Sequence, residues 1–233
     1  MIKYSIVIPL KNEEENISPL LEELSHVMTP LNDPWEVICI DDGSTDKTNE
    51  ILKELKITHP QLTTIHFDKN YGQSSAFDAG FKKSSGEYII TLDGDRQNDP
   101  SDIPKLLLMK EDFDLICGIR QKRKDTLFKK LISKLANRVR SKLCNDGVSD
   151  SGCSLKIYRK ESLKKIKLYH GMHRFLPALF VLEGFRVGET PVSHRPRYRG
   201  KSHYNFFNRS IHPFLDLLAV YWMGSRQLKW KIK

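Results

Sequence analysis

Residues 88–97 read Tyr-Ile-Ile-Thr-Leu-Asp-Gly-Asp-Arg-Gln, an apolar run that ends in two carboxylates, Asp93 and Asp95. An apolar run of this length predicts a buried β-strand. Ligands of open α/β sheets bind at the carboxyl ends of strands, so both aspartates are expected to face a ligand. Two carboxylates suit Mg²⁺ or Mn²⁺ held mainly by substrate phosphates. An acidic surface turn is the alternative interpretation of this motif taken alone.

Strand and helix patterns alternate on both sides of this stretch, through residues 1–117. The predicted strands are 5–10, 36–40, 63–67, 88–92 and 114–119, and the predicted helices are 17–28, 46–56, 74–84 and 101–109. Strands that alternate with helices of this length predict an α/β fold with a parallel, doubly wound sheet.

Polar clusters follow four of the predicted strands. They contain Asn12 and Glu13, Asp41 and Asp42, Gly72 and Gln73, and the pair Asp93 and Asp95. Parallel strands place such ends along one edge of the sheet, so the four clusters together indicate a binding crevice. Two common phosphate-binding motifs are missing: no GxGxxG follows the first strand, and Gly200-Lys201-Ser202 has Arg195 where a P-loop needs glycine.

Composition indicates one folded domain with an anionic partner. The 233 residues are 39% hydrophobic, and the net charge of +9 is concentrated in the second half. Residues 118–143 hold ten Lys or Arg and one acid, and residues 194–209 hold five Lys or Arg and no acid. An uneven basic charge of this kind suggests nucleic acid, phospholipid or a phosphorylated substrate. The four cysteines lack metal-site spacing and predict reduced thiols in a cytosolic protein without a signal peptide.

Two segments of the second half have amphipathic or interfacial character. Residues 126–143 form a helical apolar stripe flanked by lysines and arginines, and residues 211–225 are apolar and aromatic, with basic residues beyond them. Both patterns are typical of segments that lie on an anionic membrane surface. Helices packed on the core, with a solvated basic face or tail, are the alternative. The apolar run Leu217–Met223 is shorter than the roughly 20 residues that span a bilayer.

The motifs together resemble the inverting family 2 glycosyltransferases of GT-A fold, over essentially the whole chain. In the first half the resemblance rests on Ser5–Glu13, Asp41–Asp46, Asn70–Gln73 and Asp93–Pro100. In the second half Gly118–Arg120, Asp150–Lys156, Gly171–Phe175 and Arg197–Ser202 are similar to polyprenyl-phosphate sugar transferases such as dolichol-phosphate mannosyltransferase. Two positions depart from that pattern: His203 stands where Lys or Arg is common, and Lys129-Lys130 replaces an arginine.

The resemblance implies a Rossmann-like nucleotide-diphospho-sugar transferase fold, a metal-dependent reaction and specific residue roles. The nucleotide-sugar residues would be Pro9, Asn12, Glu13, Asp41, Asp42, Gly72, Gln73 and Asp93. The Mg²⁺ or Mn²⁺ ligands would be Asp93, Asp95 and Gln97. The acceptor phosphate would be held by Arg120, Lys129, Ser133, Arg197 and Ser202, and the catalytic residues would be Asp95, Arg120 and Arg197.

The implied reaction moves a hexose, from GDP-mannose or UDP-glucose first, to dolichyl or undecaprenyl phosphate with inversion. UDP-N-acetylhexosamines are further candidate donors. We expect residues 1–210 to form the catalytic domain, with a nucleotide-sugar half (1–117) and an acceptor half (118–210). Residues 211–233 would form a membrane-interface tail that holds the protein on the cytosolic face. A separate membrane subunit or flippase is a candidate partner.

Three other functions stay open at this point. Transfer to a hydroxyl acceptor would need a carboxylate base, for which Asp150 is a candidate. A basic nucleic-acid-binding protein is disfavoured, because the sequence has no RNA-recognition aromatic motif, zinc finger or repeated basic module. A catalytically inactive membrane adaptor is disfavoured by the presence of Asp93, Asp95 and Gln97 together.

Overall fold

The computed structural model describes residues 1–121, 140, 144, 146–196 and 211–228. In these ranges the chain forms one seven-stranded sheet with helices on both faces. The strands are β1 (Tyr4–Leu10), β2 (Trp35–Asp41), β3 (Leu62–His66), β4 (Tyr88–Thr91), β5 (Leu115–Arg120), β6 (Lys156–Arg159) and β7 (Val187–Val192).

The strand order is β3-β2-β1-β4-β6-β5-β7, and the sheet is mostly parallel. Each of β1, β2, β3 and β4 runs parallel to its neighbour among them, and β5 runs parallel to β7. β6 lies between β4 and β5 and is antiparallel to both. The sequence therefore predicted the α/β class and the parallel half correctly, but it did not reveal β6 or β7.

The helices in the described ranges connect or cover the strands. They are α1 (Ile17–Met28), α2 (Thr48–Thr58), α3 (Gln73–Lys83), α4 (Ile103–Leu107), α5 (Lys160–Leu163), α6 (Leu176–Leu182) and α7 (Ile211–Ser225). Short 3₁₀ turns occur at Thr29–Leu31, Pro100–Asp102 and Met172–Phe175. The predicted helix 101–109 is thus a 3₁₀ turn followed by the short α4.

Two apolar cores lie on opposite faces of the sheet. One packs α1 and α4 against β1, with Ile6, Leu20 and Leu24 fully buried. The other packs α3 and α6 on the far face, with Phe77 and Phe180 among its buried members. Burial of a large apolar side chain contributes about 1.5–3 kcal/mol, so these two layers fix the sheet that carries the strand ends. All four cysteines are free and buried.

Helix α7 packs on the domain through one face and exposes the other. Leu217 and Val220 are buried against a small third core that includes Met172, Phe175 and Leu179. The outward face carries five side chains that are each 42–62% exposed: Phe214, Leu215, Leu218, Tyr221 and Trp222. Of the helices that the structure describes, none has the length and apolar content needed to cross a bilayer.

Candidate active site

Two loops at the carboxyl ends of β1 and β2 are joined by hydrogen bonds. The Asn12 backbone N–H donates to Ser44 Oγ at 2.9 Å, and the Thr45 backbone N–H donates to Asn12 Oδ1 at 2.8 Å. The Glu13 backbone N–H donates to Thr48 Oγ1 at 2.9 Å. Asn12 adopts a left-handed backbone with φ +56°, a conformation that asparagine tolerates better than most residues. The loops are therefore held in one arrangement before any ligand binds.

Asp42 connects these loops to the segment before α3. Its carboxylate is buried and accepts hydrogen bonds from the backbone N–H groups of Tyr71, at 2.6 Å, and Gly72, at 2.9 Å. The neighbouring Asp41 accepts from the Ser44 backbone N–H at 2.9 Å and lies 3.4 Å from His66 Nδ1. Both aspartates thus organise the loops around the predicted nucleotide site, and each carboxylate keeps acceptor capacity beyond these bonds.

Asp93 and Asp95 follow β4 and lie against the end of β1. A Cβ atom on the intervening Gly94 would lie 2.4 Å from Cδ2 of the buried Leu10, so a larger residue there would require Leu10 to shift. Gln73 Nε2, at the start of α3, donates to Asp93 Oδ1 at 2.8 Å. Burial, and then the neighbouring charge of Asp95, raise the pKa of Asp93.

The segment after the aspartates is tied to the segment after β7. Asp95 Oδ1 accepts from the Gln97 backbone N–H at 3.1 Å, and Gln97 accepts from the Arg195 backbone N–H at 2.9 Å. Asn98 forms an isolated bridge with His194. Arg195 also forms ion pairs with Glu23 at 2.7 Å and with Asp99 at 2.8 Å. The segment that follows Asp93 and Asp95 is therefore held in place by the segment that follows β7.

The aspartate pair fits a divalent cation that is shared with substrate. The buried Asp95 and the partly exposed Asp93 are separated by one residue and repel each other, and a cation would relieve that repulsion. Over the described residues no cluster of three or more His, Cys, Asp or Glu could form a cage for a metal. A site with two carboxylates and few other protein ligands matches the way Mg²⁺ binds together with phosphates. Asp93 and Asp95 would hold the ion, and Gln97 remains the predicted third ligand.

A cavity of 280 Å³ opens beside Asp93, and neither Asn12 nor Asp42 lines it. Its walls come from α3, β4, β5, β6, the loop before β6 and the 3₁₀ turn at Met172–Phe175. Its charged side chains are Asp93, Asp150, Arg120, Lys156 and Arg174. The cavity thus places cations next to the aspartate that is predicted to contact nucleotide and metal.

Arg120 and Asp150 form a two-point ion pair in this cavity. Arg120 Nε donates to Asp150 Oδ2 and Nη2 donates to Oδ1, both at 2.7 Å. Burial alone would lower the pKa of Arg120, but the hydrogen bonds and charge of Asp150 outweigh it and raise that pKa. Such fork-to-fork pairs are strong and fix both groups in a plane. Arg120 therefore reaches the cavity as one half of a neutral, oriented pair.

Lys156 and His173 complete the wall behind Asp93. Lys156, on β6, is buried, and its Nζ donates to the carbonyl oxygens of Ser151 and Cys153. His173 Nδ1 lies 2.7 Å from Ser74 Oγ on α3. Burial, with help from the charges of Arg174 and Lys156, lowers the pKa of His173 to about 3, so the imidazole is neutral at pH 7.

The predicted site residues fall into three groups. Pro9, Asn12, Glu13, Asp41, Asp42, Gly72, Gln73, Asp93, Asp95 and Gln97 lie along one edge of the sheet, as expected from the strand ends. Arg120 lies in the adjoining cavity. Lys129, Ser133, Arg197 and Ser202 lie outside the described residues. The roles assigned to all these residues stay predictions.

Sequence reasoning gave no role to Lys156, His173 or Arg174, although all three line the cavity. Each lies within a motif that supported the resemblance, namely Asp150–Lys156 or Gly171–Phe175. The partner of His173 lies far away in the chain, since His173 contacts Ser74 across 99 positions. Only the presence of polar residues within those motifs could have indicated them.

Comparison with known proteins gives a consistent result. The model of the family described as "Glycosyl transferase family 2" matches residues 5–167. A dodecaprenyl-phosphate galacturonate synthase from Rhizobium johnstonii is 39% identical over 227 residues, which cover 94% of this chain and 66% of that protein. An undecaprenyl-phosphate 4-deoxy-4-formamido-L-arabinose transferase from Salmonella choleraesuis is 36% identical, covering 93% and 67%. The chain therefore spans about two thirds of the length of these curated relatives.

Solved structures resemble the fold. Glucosyl-3-phosphoglycerate synthase from Mycobacterium tuberculosis, solved with Mn²⁺, UDP and glucosyl-3-phosphoglycerate, superimposes with a TM-score of 0.71 at 16% identity, over 98% of this chain and 81% of that one. TarS residues 1–349 from S. aureus superimpose with a TM-score of 0.65 at 17% identity, over 99% and 67%. Identities this low demonstrate a shared fold only.

Proposed function

The chain belongs to glycosyl transferase family 2 and has the predicted GT-A-like α/β fold, and from this premise we propose that it transfers a sugar from a nucleoside-diphosphate sugar to a polyprenyl phosphate. The acceptor class is supported by two relatives that are named for polyprenyl-phosphate products or substrates and that match over 93–94% of this chain.

One structural observation carries the proposal: the cavity that places Asp93 beside Arg120, Lys156 and Arg174. The loops of Asn12 and Asp42, which suit a nucleotide, lie at the same sheet edge as Asp93 but do not line this cavity. The cations of the cavity suit an anionic acceptor. A reaction between a nucleotide sugar and a phosphate ester needs both regions next to each other, because the anomeric carbon must meet the acceptor oxygen.

On the donor side, the chain orients the nucleotide with a network that is already formed. The Asp42 carboxylate keeps Tyr71 and Gly72 in place, and Gln73 holds Asp93. Asp93 and Asp95 would bind Mg²⁺ or Mn²⁺ together with the donor diphosphate. When bound, the cation would neutralise the charge that develops on the diphosphate leaving group.

On the acceptor side, a phosphate oxygen would attack the anomeric carbon. A phosphate monoester has a second pKa of about 6 and is largely a dianion at pH 7, so it needs no protein base. A reaction without a protein base is consistent with the pairing of Asp150 with Arg120, because both Asp150 carboxylate oxygens accept hydrogen bonds from the guanidinium. A single displacement of this kind would invert the anomeric configuration.

Transfer to a hydroxyl acceptor is the second candidate. It is favoured by one observation, the presence of Asp150 in the cavity wall, where a general base would need to lie. That role would require Asp150 to exchange its contacts with Arg120 for a contact with the acceptor hydroxyl. The phosphate acceptor needs no such rearrangement and is therefore the preferred proposal.

The transferred sugar is a separate question. GDP-mannose and UDP-glucose are the donors that we propose first, with UDP-N-acetylhexosamines behind them. The names of the two relatives refer to galacturonate and to 4-deoxy-4-formamido-L-arabinose. Donors of those sugars therefore belong in the same screen.

We further propose that α7 lies on the cytosolic surface of an anionic membrane. Its outward face is a stripe of five exposed apolar and aromatic side chains, Phe214, Leu215, Leu218, Tyr221 and Trp222. Aromatic residues are typical of the membrane interface, and Arg226 with the lysines of 229–233 would attract acidic headgroups. This placement would bring the cavity close to the lipid phosphate.

The deciding experiment is transfer of radiolabelled sugar into undecaprenyl phosphate, with each donor in turn and with Mg²⁺, Mn²⁺ or EDTA. We expect one donor to give a metal-dependent, lipid-extractable product that is labile to mild acid. Transfer to a water-soluble hydroxyl acceptor, with no lipid product from any donor, would instead establish the second candidate.

A further inference from the structure

Arg174 is a cation in the cavity wall with no assigned role. It belongs to the 3₁₀ turn Met172–Phe175, next to the neutral His173, and its side chain is partly exposed. Among the described residues, no hydrogen bond or ion pair to the Arg174 guanidinium is found. A guanidinium has five N–H donors, so Arg174 keeps a large unused capacity to bind an anion.

The turn that carries Arg174 is rigidly supported. Met172 and Phe175 are buried against α6 and α7, and Ser74 holds His173 from the side of α3. Gly171 precedes the turn with φ +81°, and a Cβ atom there would lie 2.1 Å from Asp216 Oδ2 on α7. The positive φ favours glycine at this position, and a larger residue would also displace the Asp216 side chain. Burial raises the pKa of Asp216, and the positive charge of Arg174 offsets part of that rise.

The other cations of the cavity are already engaged. Arg120 is paired at two points with Asp150, and Lys156 donates to two backbone carbonyl oxygens. His173 is neutral and adds no charge. A phosphate dianion that enters this pocket must also approach Asp93 and a donor diphosphate, so it requires an uncommitted cation.

We propose that Arg174 binds the phosphate of the acceptor directly, as an addition to the phosphate-binding residues predicted from the sequence. The inference rests on the proposed transfer to a polyprenyl phosphate. Asp216 on α7 and the adjacent His173 both interact electrostatically with Arg174, and we assign them as positioning residues. Arginine suits the task because its planar fork can contact two phosphate oxygens at once.

The test is steady-state kinetics of Arg174→Ala and Arg174→Lys on the full chain, with undecaprenyl phosphate and with the short acceptor geranyl phosphate. Loss of one charged hydrogen-bonding group predicts a 10- to 100-fold rise in acceptor KM for the alanine variant, about equal for both acceptors. Lysine should recover part of that loss. Donor KM, and slow donor hydrolysis without acceptor, should stay within about twofold of wild type.

The matched control is Arg186→Ala. Arg186 is exposed, directly precedes β7 and donates to the Glu111 carbonyl oxygen. It should leave both KM values unchanged. An unchanged acceptor KM in Arg174→Ala would overturn the inference, as would a change in donor KM alone or an effect seen only with the long lipid. If wild type transfers sugar to neither lipid phosphate, the proposed function itself fails, which is a distinct result. If the alanine variant does not fold, the lysine variant provides the same comparison.

Discussion

The loops around Asp42 (the nucleotide side) and the cavity beside Asp93 (the cavity side) differ in how far their polar groups are already hydrogen-bonded. On the nucleotide side, the carboxylates of Asp41 and Asp42 and the amide of Asn12 are occupied by backbone N–H groups. On the cavity side, the Arg174 guanidinium makes no hydrogen bond or ion pair within the described residues, and α7 exposes an apolar face. The loops of the first region are held in place by their own hydrogen bonds, whereas the second region offers a cation and an apolar surface to a ligand.

The difference explains how a single sheet edge could bind two unlike substrates. A nucleotide is rigid and polar, so hydrogen bonds formed in advance reduce the ordering that binding requires. A lipid phosphate joins an anion to a long apolar chain, so its site needs a free cation near an exposed apolar surface. Mutations on the two sides should therefore have separable effects.

Asp95→Ala should decrease transfer by about 10³-fold, because it removes a carboxylate proposed to hold the cation that stabilises the leaving group. The fold should persist, since the Asp95 side chain receives a backbone hydrogen bond from Gln97 but does not pack in an apolar core. Transfer assays and circular dichroism provide the two readouts. Full activity in this variant would exclude the proposed metal site.

Opposite faces of α7 should respond to mutation in opposite ways. Leu218→Ser combined with Trp222→Ser should weaken binding to anionic vesicles by about 100-fold and leave the melting temperature unchanged, because both residues are exposed. Leu217→Ala, on the buried face, should cost about 2–5 kcal/mol of stability. Vesicle sedimentation and thermal unfolding measure both. Unfolding of the serine variant would show that this face is buried within the protein.

Asp42→Ala should increase donor KM by about 10- to 100-fold, because the backbone N–H groups of Tyr71 and Gly72 would lose their buried partner. Acceptor KM should change little, since the loss lies on the nucleotide side of Asp93. Isothermal titration with the donor nucleotide and kinetics at saturating donor separate the two. An equal loss on both sides would mean that the two regions are not independent.

His173 should make the cavity side sensitive to acid. Its pKa is lowered from 6.5 to about 3, so the unfolded state takes up a proton first and stability falls as pH drops below about 6.5. Between pH 7 and pH 5 this cost is about 2 kcal/mol. His173→Gln should lose less stability over that interval than wild type, as measured by urea unfolding. His26→Gln, on the exposed surface of α1, is the control and should follow wild type.

The sequence could predict the nucleotide side better than the cavity side, for physical reasons. Buried parallel strands such as β1 and β4 are continuous apolar runs, and their ends must meet at one edge, so Asp42 and Asp93 could be placed together. By contrast, β6 reads Lys-Ile-Tyr-Arg and shows no apolar run. β7 reads Val-Gly-Glu-Thr-Pro-Val and is interrupted by glycine and proline. Both were missed because long-range pairing, not local pattern, defines them.

The same reason explains which site residues were found. The motif Asp93–Gln97 lies directly after a predictable strand, so its position followed from local sequence. Lys156 depends on β6, and Arg174 depends on a turn that α6 and α7 hold in place. Contacts between residues that are far apart in the chain determine whether a cation is paired, and sequence alone does not give them.

The position of β6 also determines when the sheet can be completed during synthesis. During synthesis β4 and β5 emerge early, but they join one sheet only when β6 (residues 156–159) pairs with both of them. A nascent chain that has reached residue 121 therefore leaves the inner edge of β4 open, and open edges of this kind invite aggregation. The first 121 residues contain nearly all the nucleotide-side loops, yet they should not form a soluble fragment. The boundary predicted from the sequence between residues 117 and 118 is therefore not a point at which the chain can be divided into two folded parts.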